Sequence, residues 1–311
     1  MKWKKMGHVY TPDGSMPWAV SYGTAPTPFF LNDKTLRVYT AFCDKDTVGR
    51  LGYVDLDPEN PSRILGVSPK PLLDIGTPGA FDENGVVPTS IVRVGDELYL
   101  YYVGFSLGHK VRYCLYQGLA ISKDGGESFT RYSRVPVLDR SDSELLNRTA
   151  AFAMKENGHF RIWYTAGSEW TNVNGKPLPV YSIKYLESPD GKHWGGHGEA
   201  CVDFKNADEH AVAKPWVLKD SDRYRMFYSI RSHSHGFATG YGYRLGYAES
   251  KDGRKWTRLD EQVGLDVSPS GWDSEMVAYP AVVPYKDRVY MFYCGNGCAK
   301  TGFGYAQLES W

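Results

Sequence analysis

A strand-forming segment that ends in tyrosine recurs five times along this chain, and that repeat limits the possible folds more than any other feature. It reads Leu36-Arg37-Val38-Tyr39, Leu98-Tyr99-Leu100-Tyr101-Tyr102, Phe160-Arg161-Ile162-Trp163-Tyr164, Tyr224-Arg225-Met226-Phe227-Tyr228 and Val289-Tyr290-Met291-Phe292-Tyr293. The terminal tyrosines lie 63, 62, 64 and 65 residues apart, so five such units account for all 311 residues. No stretch holds a 3.6-residue apolar period for a helical length, which sets aside a helical solenoid.

Each unit has the same inner order. An apolar strand comes first (86–92, 149–154, 211–218, 276–283), a tight turn such as Val94-Gly95-Asp96 follows, and the Tyr-ending strand comes next. A third strand carries small residues, as in Leu245-Gly246-Tyr247-Ala248. Three units then show Ser-x-Asp-Gly, at Ser122, Ser188 and Ser250, followed by Phe129, Trp194 or Trp256. There the Asp side chain can bond its own turn, Gly takes the left-handed position, and the aromatic packs between units. A radial array of four-stranded meanders is a propeller. The expectation is an all-β, five-bladed β-propeller of four-stranded blades, a single domain over 1–311. The fifth unit ends after its third strand, so residues 3–10 are expected to supply its outer strand and close the ring. The long segments 103–117, 168–180 and 231–244 fall at one place in the repeat and should wall one face.

Nine Trp, 23 Tyr and 13 Phe suit strands and also suit a carbohydrate site, where sugar C–H faces lie on rings. The 36 basic residues balance 36 acidic ones, which gives no support to a nucleic-acid or acidic-membrane partner. No apolar run reaches spanning length and no leader pattern follows the Lys-rich start. The cysteines, Cys43, Cys114, Cys201, Cys294 and Cys298, are odd in number and read as reduced thiols of a cytoplasmic protein. No cofactor or metal is assigned. His210 with His233 and His235 could bind a metal, and an ion on the axis is open, but no ligand spacing fixes either.

Loops that lead into the first strands of a propeller face a common pocket. Counting back from the terminal tyrosines aligns Glu144, Asp208 and Asp273, and also Leu146, His210 and Glu275. With Asp82, Glu83 and Glu209, carboxylates thus recur at one height in four units. Close carboxylates push their pKa values apart, which suits one as acid and its neighbour as base or nucleophile. The candidate catalytic set is Asp82, Glu83, Glu144, Glu209, Asp273 and Glu275. Arg148, His210, Lys214, Arg231 and Tyr279 are candidate substrate-orienting groups, and Trp170 and Trp272 candidate sugar platforms. Turn-forming or solvated carboxylates, polar support for His210 and core packing for the tryptophans are the plainer alternatives.

The Ser-x-Asp-Gly turns, the Tyr-ending strands and the fivefold count resemble the five-bladed propeller glycoside hydrolases, a superfamily that includes families 32, 43, 68, 117 and 130. Gly79-Ala80-Phe81-Asp82-Glu83-Asn84-Gly85-Val86 and Gly271-Trp272-Asp273-Ser274-Glu275-Met276 resemble bacterial members encoded with surface-polysaccharide genes. The resemblance implies a carbohydrate or glycoconjugate ligand. In families 43 and 32 three acids come from the first three blades. Asp82 or Glu83 matches the second and Glu144 the third, whereas 24–30 holds no Asp or Glu to match the first. The leading expectation is a glycoside hydrolase with Glu275 and Asp82 or Glu83 as the acid–base set. Alternatives are a non-catalytic sugar or nucleotide-sugar binder, a glycoside phosphorylase with Arg148, Lys214 and Arg231 around phosphate, a protein-interaction ring, and a transferase or lyase in the same pocket.

Overall fold

The computed structural model describes residues 1–173, 175–234 and 242–311, and their regular elements are almost all strands. The first meander comprises β2 (Ser21–Asn32), β3 (Thr35–Cys43), β4 (Gly49–Asp57) and β5 (Asn60–Val67), after the N-terminal strand β1 (Lys2–Tyr10). The second has β6 (Val86–Val94), β7 (Glu97–Leu107), β8 (Tyr113–Ser122) and the short β9 (Thr130–Arg131). The third has β10 (Asn147–Glu156), β11 (His159–Val173), β12 (Lys176–Ser188) and β13 (Glu199–Val202). The fourth has β14 (Glu209–Lys219), β15 (Tyr224–Ser232), β16 (Tyr243–Ser250) and β17 (Thr257–Arg258). The last has β18 (Ala278–Tyr285), β19 (Arg288–Cys294) and β20 (Phe303–Ser310), with β1 paired antiparallel on β20 as its outer strand. Among the described residues no helix is long and apolar enough to cross a membrane. All five cysteines are unpaired.

The first strands lie against one another in a cycle: β2 on β6, β6 on β10, β10 on β14, β14 on β18, and β18 back on β2. A repeated clasp joins neighbouring meanders. Tyr39 donates to Gly126 O, Tyr101 to Gly191 O (2.7 Å) and Trp163 Nε1 to Gly253 O (2.7 Å). In each case the second strand of one meander grips the Ser-x-Asp-Gly turn of the next. Ser122, Ser188 and Ser250 bond these turns internally, and Gly125, Gly191 and Gly253 have φ near +75°, +72° and +75°, as the turn chemistry requires. Phe129, Trp194 and Trp256 pack edge-on against Tyr39, Tyr101 and Trp163, between the meanders. Tyr290 donates to Pro58 O, joining the last meander to the first.

Each first strand carries a bulge at the same depth. The register slips between Thr24 and Thr27, Pro88 and Ser90, Thr149 and Phe152, Ala213 and Trp216, and Ala278 and Ala281. The residue 14 positions before each terminal tyrosine sits at or beside it: Ala25, Pro88, Ala150, Lys214 and Tyr279; in the second meander Pro88 still pairs with Tyr102 and Thr89 is the extra residue. Four of them hold a left-handed backbone, with φ of 56°, 51°, 53° and 57°, whereas Pro88 cannot. Such a bulge breaks the ladder and re-aims a side chain. The backbone N–H groups this frees are taken up by side chains: Ala151 N by Gln117 Oε1, Lys214 N by Thr165 Oγ1 and Tyr279 N by Ser229 Oγ.

Trp3 fixes the N-terminal strand. It is buried, lies edge-on to Phe227 and donates to Val263 O (2.9 Å). Trp3→Ala should lower the free energy of urea unfolding by about 3–5 kcal/mol. A loss below about 0.5 kcal/mol, the range of an ordinary surface change, would contradict that role.

Candidate functional site

All five first strands contribute to one cavity where they meet. Its inner chamber, about 110 Å³, is lined by Thr24 and Ala25, Val87 and Thr89, Asn147 and Thr149, Ala213 and Lys214, and Tyr279, with Tyr181 and Tyr243 above them. It opens into an outer bowl of about 510 Å³ walled by Tyr22, Asn84, Arg112, Tyr113, Lys176, Arg231 and Cys298. Tyr181 and Tyr243 line both parts. The long segments of the repeat supply Arg112, Tyr113, Lys176, Arg231 and Tyr243, so they form the walls expected of them.

The charge of this cavity is one-sided. Among the described residues its lining contains Lys214, Arg231, Arg112 and Lys176 and no carboxylate. Arg231 is 3% exposed. Its Nε donates to His210 Nε2 (2.9 Å), its Nη2 donates to Pro179 O (3.0 Å), and it lies between the rings of Tyr181 and Tyr243 at 5.5 and 5.3 Å. A buried guanidinium stays charged and is costly without an anion. His210 must stay neutral to accept from it, and burial followed by the Arg231 charge lowers the imidazole pKa to about 4. Lys214 donates to Thr89 O (3.1 Å) across the chamber and lies over the Trp216 ring. Burial pulls its amine down to about 7.

Among the described residues, the side chains of Asn147 and Thr149 in the chamber have no hydrogen-bond partner. The Asn147 amide, fully buried, has neither its Nδ2 nor its Oδ1 in a hydrogen bond, and the Thr149 hydroxyl has none either. Each such buried group costs about 1–3 kcal/mol unless something in the chamber meets it. An amide with both donor and acceptor vacant suits a pair of hydroxyls.

The sequence-derived acids lie elsewhere. Tyr102 OH donates to Asp82, which is paired with Arg131 at 2.7 Å. Tyr164 OH donates to Glu144, which is held by Arg148 at 2.6 Å and Lys184 at 2.7 Å. Tyr293 OH donates to Asp273, paired with Lys5 at 2.7 Å. The carboxylate is 20 residues before its tyrosine each time, so the recurrence seen in sequence is a repeated tie from the Tyr-ending strand to an ion pair inside one meander. In the fourth meander Asp260, held by Arg258, takes this place, while Asp208 binds Ser234. Glu209 also pairs with Arg258, along a flank groove. Glu83 accepts from Gly79 N, and Glu275 is exposed. The expected acid–base set is therefore not assembled at the cavity: buried carboxylates here were matched to cations rather than left facing solvent. Arg148 is likewise committed to Glu144, and Trp272 stacks on Tyr293 beneath β1. Trp170 packs edge-on against Tyr113 at the bowl.

Lys214, Tyr279 and Arg231 do line the cavity, with His210 behind Arg231. Sequence reasoning missed Asn147, Thr149, Tyr181 and Tyr243. Asn147 stood between the two residues chosen, Glu144 and Arg148; extending the same count to the bulge positions would have marked this layer. His210 and His233 rings lie 4.7 Å apart, and His235 is outside the described residues. Among the described residues no group of three or more His, Cys, Asp or Glu is placed to hold a metal ion.

No family model matches the chain. A relative from Mycobacterium tuberculosis (strain ATCC 25618 / H37Rv), "Uncharacterized protein Rv1502", is 33% identical over 310 residues, 100% of each chain. Among solved structures, a complex of BT0996 with RGII superposes with a TM-score of 0.72 at 20% identity over 98% of this chain and 90% of its own. A structure described as "The GH130 family of mannoside phosphorylases contains glycoside hydrolases that target beta-1,2 mannosidic linkages in Candida mannan" gives 0.73 at 16% identity over 98% and 93%. The shared fold is that of the propeller glycoside hydrolases and phosphorylases.

The anchoring role of the acids is open to direct measurement. Glu144→Gln leaves the buried Arg148 without its carboxylate and should cost about 3 kcal/mol or more in urea unfolding. Glu275→Gln, at an exposed position, should change stability by less than about 0.5 kcal/mol. The reverse order would contradict the assignment.

Proposed function

This chain belongs to the family of the mycobacterial protein Rv1502, and we propose that its axial cavity binds an anionic saccharide, one that carries a carboxylate or a phosphate. The observation that carries this reading is Arg231: a buried guanidinium fixed by His210, Pro179 O and two tyrosine rings, with no carboxylate beside it among the described residues. An anionic group of the ligand would supply the missing charge through a paired, planar contact. Asn147 and Thr149 would meet sugar hydroxyls, and Lys214 and Tyr279 would face the ring from the bulges. The neighbours' descriptions, as glycoside hydrolases, mannoside phosphorylases and a complex with RGII, support a carbohydrate ligand. We also read the five meanders as five blades of one ring closed by β1; the cyclic contacts of the first strands and the Tyr290–Pro58 bond support that.

Hydrolysis by a carboxylate pair needs two acids facing one sugar, spaced by roughly 5–9.5 Å. The described lining holds none, so binding, or chemistry that uses no carboxylate, is favoured for this cavity.

Calorimetric titration tests the reading. D-glucuronate should bind at least about 10-fold more tightly than D-glucose, and Arg231→Gln should remove that preference, a loss of about 1.5–3 kcal/mol for a hydrogen bond to a charged group. Equal binding of the two sugars, untouched by Arg231→Gln, would overturn it.

A further inference from the structure

Hydrolysis by paired acids is one way to break a glycosidic link. Another requires a carboxylate on the substrate and none on the protein. A uronate has a C–H next to its carboxylate; when a cation neutralises that carboxylate, the C–H becomes acidic enough for an amine to remove it. The bond from the neighbouring carbon to the glycosidic oxygen then breaks. The protein must provide a fixed cation for the carboxylate, an uncharged base and a proton donor for the leaving oxygen.

The cavity holds those three chemistries together. We propose that it carries out β-elimination on a uronate-containing saccharide, with Arg231 as the carboxylate clamp, Lys214 as the base and Tyr279 as the acid; this rests on the anionic-saccharide reading above. Lys214 and Tyr279 occupy the same bulge position in adjacent meanders, where the first and third meanders have only Ala25 and Ala150. The left-handed backbone is common to these four positions and belongs to the fold; what sets the fourth and fifth meanders apart is the amine and the phenol carried there. Tyr279, Tyr243 and Arg231 form one cluster: the Tyr243 ring lies 5.6 Å from that of Tyr279 and 5.3 Å from the guanidinium.

The surroundings of Lys214 suit a base. Its hydrogen bond to Thr89 O uses an N–H, so the neutral amine keeps its lone pair. The titratable and charged groups around it are Arg231 on β15, Tyr181 on β12, Tyr243 on β16, Tyr279 on β18 and Cys294 on β19; β10 and β11 offer the uncharged Asn147, Thr149 and Thr165. No carboxylate among the described lining holds the ammonium form, and burial lowers the amine to about 7. Burial holds Tyr279 protonated well past its usual range.

The step balances without a co-reactant. The proton on C5 passes to Lys214 Nζ, its electron pair forms the C4–C5 double bond, the C4–O4 bond breaks, and O4 takes the phenolic proton of Tyr279. The products are an unsaturated uronate and a new hydroxyl group. Return of the proton from the Lys214 ammonium to the Tyr279 phenolate restores the site.

The test uses the full chain with polygalacturonate, alginate and hyaluronan, read by the ultraviolet absorbance of the conjugated enoate. At least one polymer should give the product, at a rate that rises with pH through about 7 as Lys214 loses its proton. Lys214→Arg, whose guanidinium cannot give up its proton and so cannot act as the base, should lose about 100-fold or more in rate while it still binds D-glucuronate. Tyr279→Phe should lose a similar factor, and it serves where Lys214→Arg does not fold. The elimination is overturned if wild type binds D-glucuronate yet yields no enoate from any of the three polymers. It is overturned equally if Lys214→Arg or Tyr279→Phe retains the wild-type rate. If wild type does not bind D-glucuronate and Arg231→Gln changes nothing, the anionic-saccharide reading fails first and the elimination falls with it.

Discussion

One extra residue in each first strand, always at the same depth, is the constraint on which the site depends. A regular strand at the middle of the fold would alternate its side chains between its two neighbours and leave the centre to whatever happened to project there. The bulge turns one residue per strand out of that alternation. In three meanders the position at or beside the bulge is occupied by Ala25, Pro88 and Ala150, which leaves room. In the other two it carries Lys214 and Tyr279, which put an amine and a phenol into the space so made. The backbone N–H groups freed at Ala151, Lys214 and Tyr279 are satisfied by Gln117, Thr165 and Ser229 from the second and third strands.

The same architecture separates charge by sign. Acids at the approaches to the first strands turn outward into ties with a tyrosine and a basic residue of their own meander, as with Asp82 and Arg131 or Asp273 and Lys5. Those ties are bound up with strand pairing, because Arg131 sits on β9 and Lys5 on β1. With the carboxylates committed there, the charged side chains in the described lining of the cavity are all basic, and Arg231 and Lys214 remain buried within it. The two cations answer burial differently. The guanidinium cannot give up its proton and so calls for an anion; the amine can, and moves toward neutrality.

Much of the fold was legible because it repeats. The spacing of Tyr39, Tyr102, Tyr164, Tyr228 and Tyr293 located five meanders, the Ser-x-Asp-Gly turns located their joints, and the short last unit pointed to β1. The site was legible only in part, for a physical reason. Recurrence marks what every meander needs, and the recurring carboxylates are what each meander needs for its own integrity. A binding site uses what differs between repeats. Lys214, Tyr279 and Arg231 stood out as single basic or phenolic residues near the pocket and do line it. Glu144 and Arg148 drew attention as charges and neutralise each other, while Asn147 between them, uncharged and inconspicuous in sequence, faces the chamber. Which of neighbouring strand residues points inward depends on register, and a bulge shifts that register by one.

A crystal structure with D-glucuronate bound would decide whether Arg231 receives the anionic group of a sugar. The sugar carboxylate should lie within hydrogen-bond distance of the Arg231 guanidinium, with ring hydroxyls on the Asn147 amide and the Thr149 hydroxyl. A sugar bound outside the axial cavity, or one seated there with its carboxylate turned away from Arg231, would contradict the account.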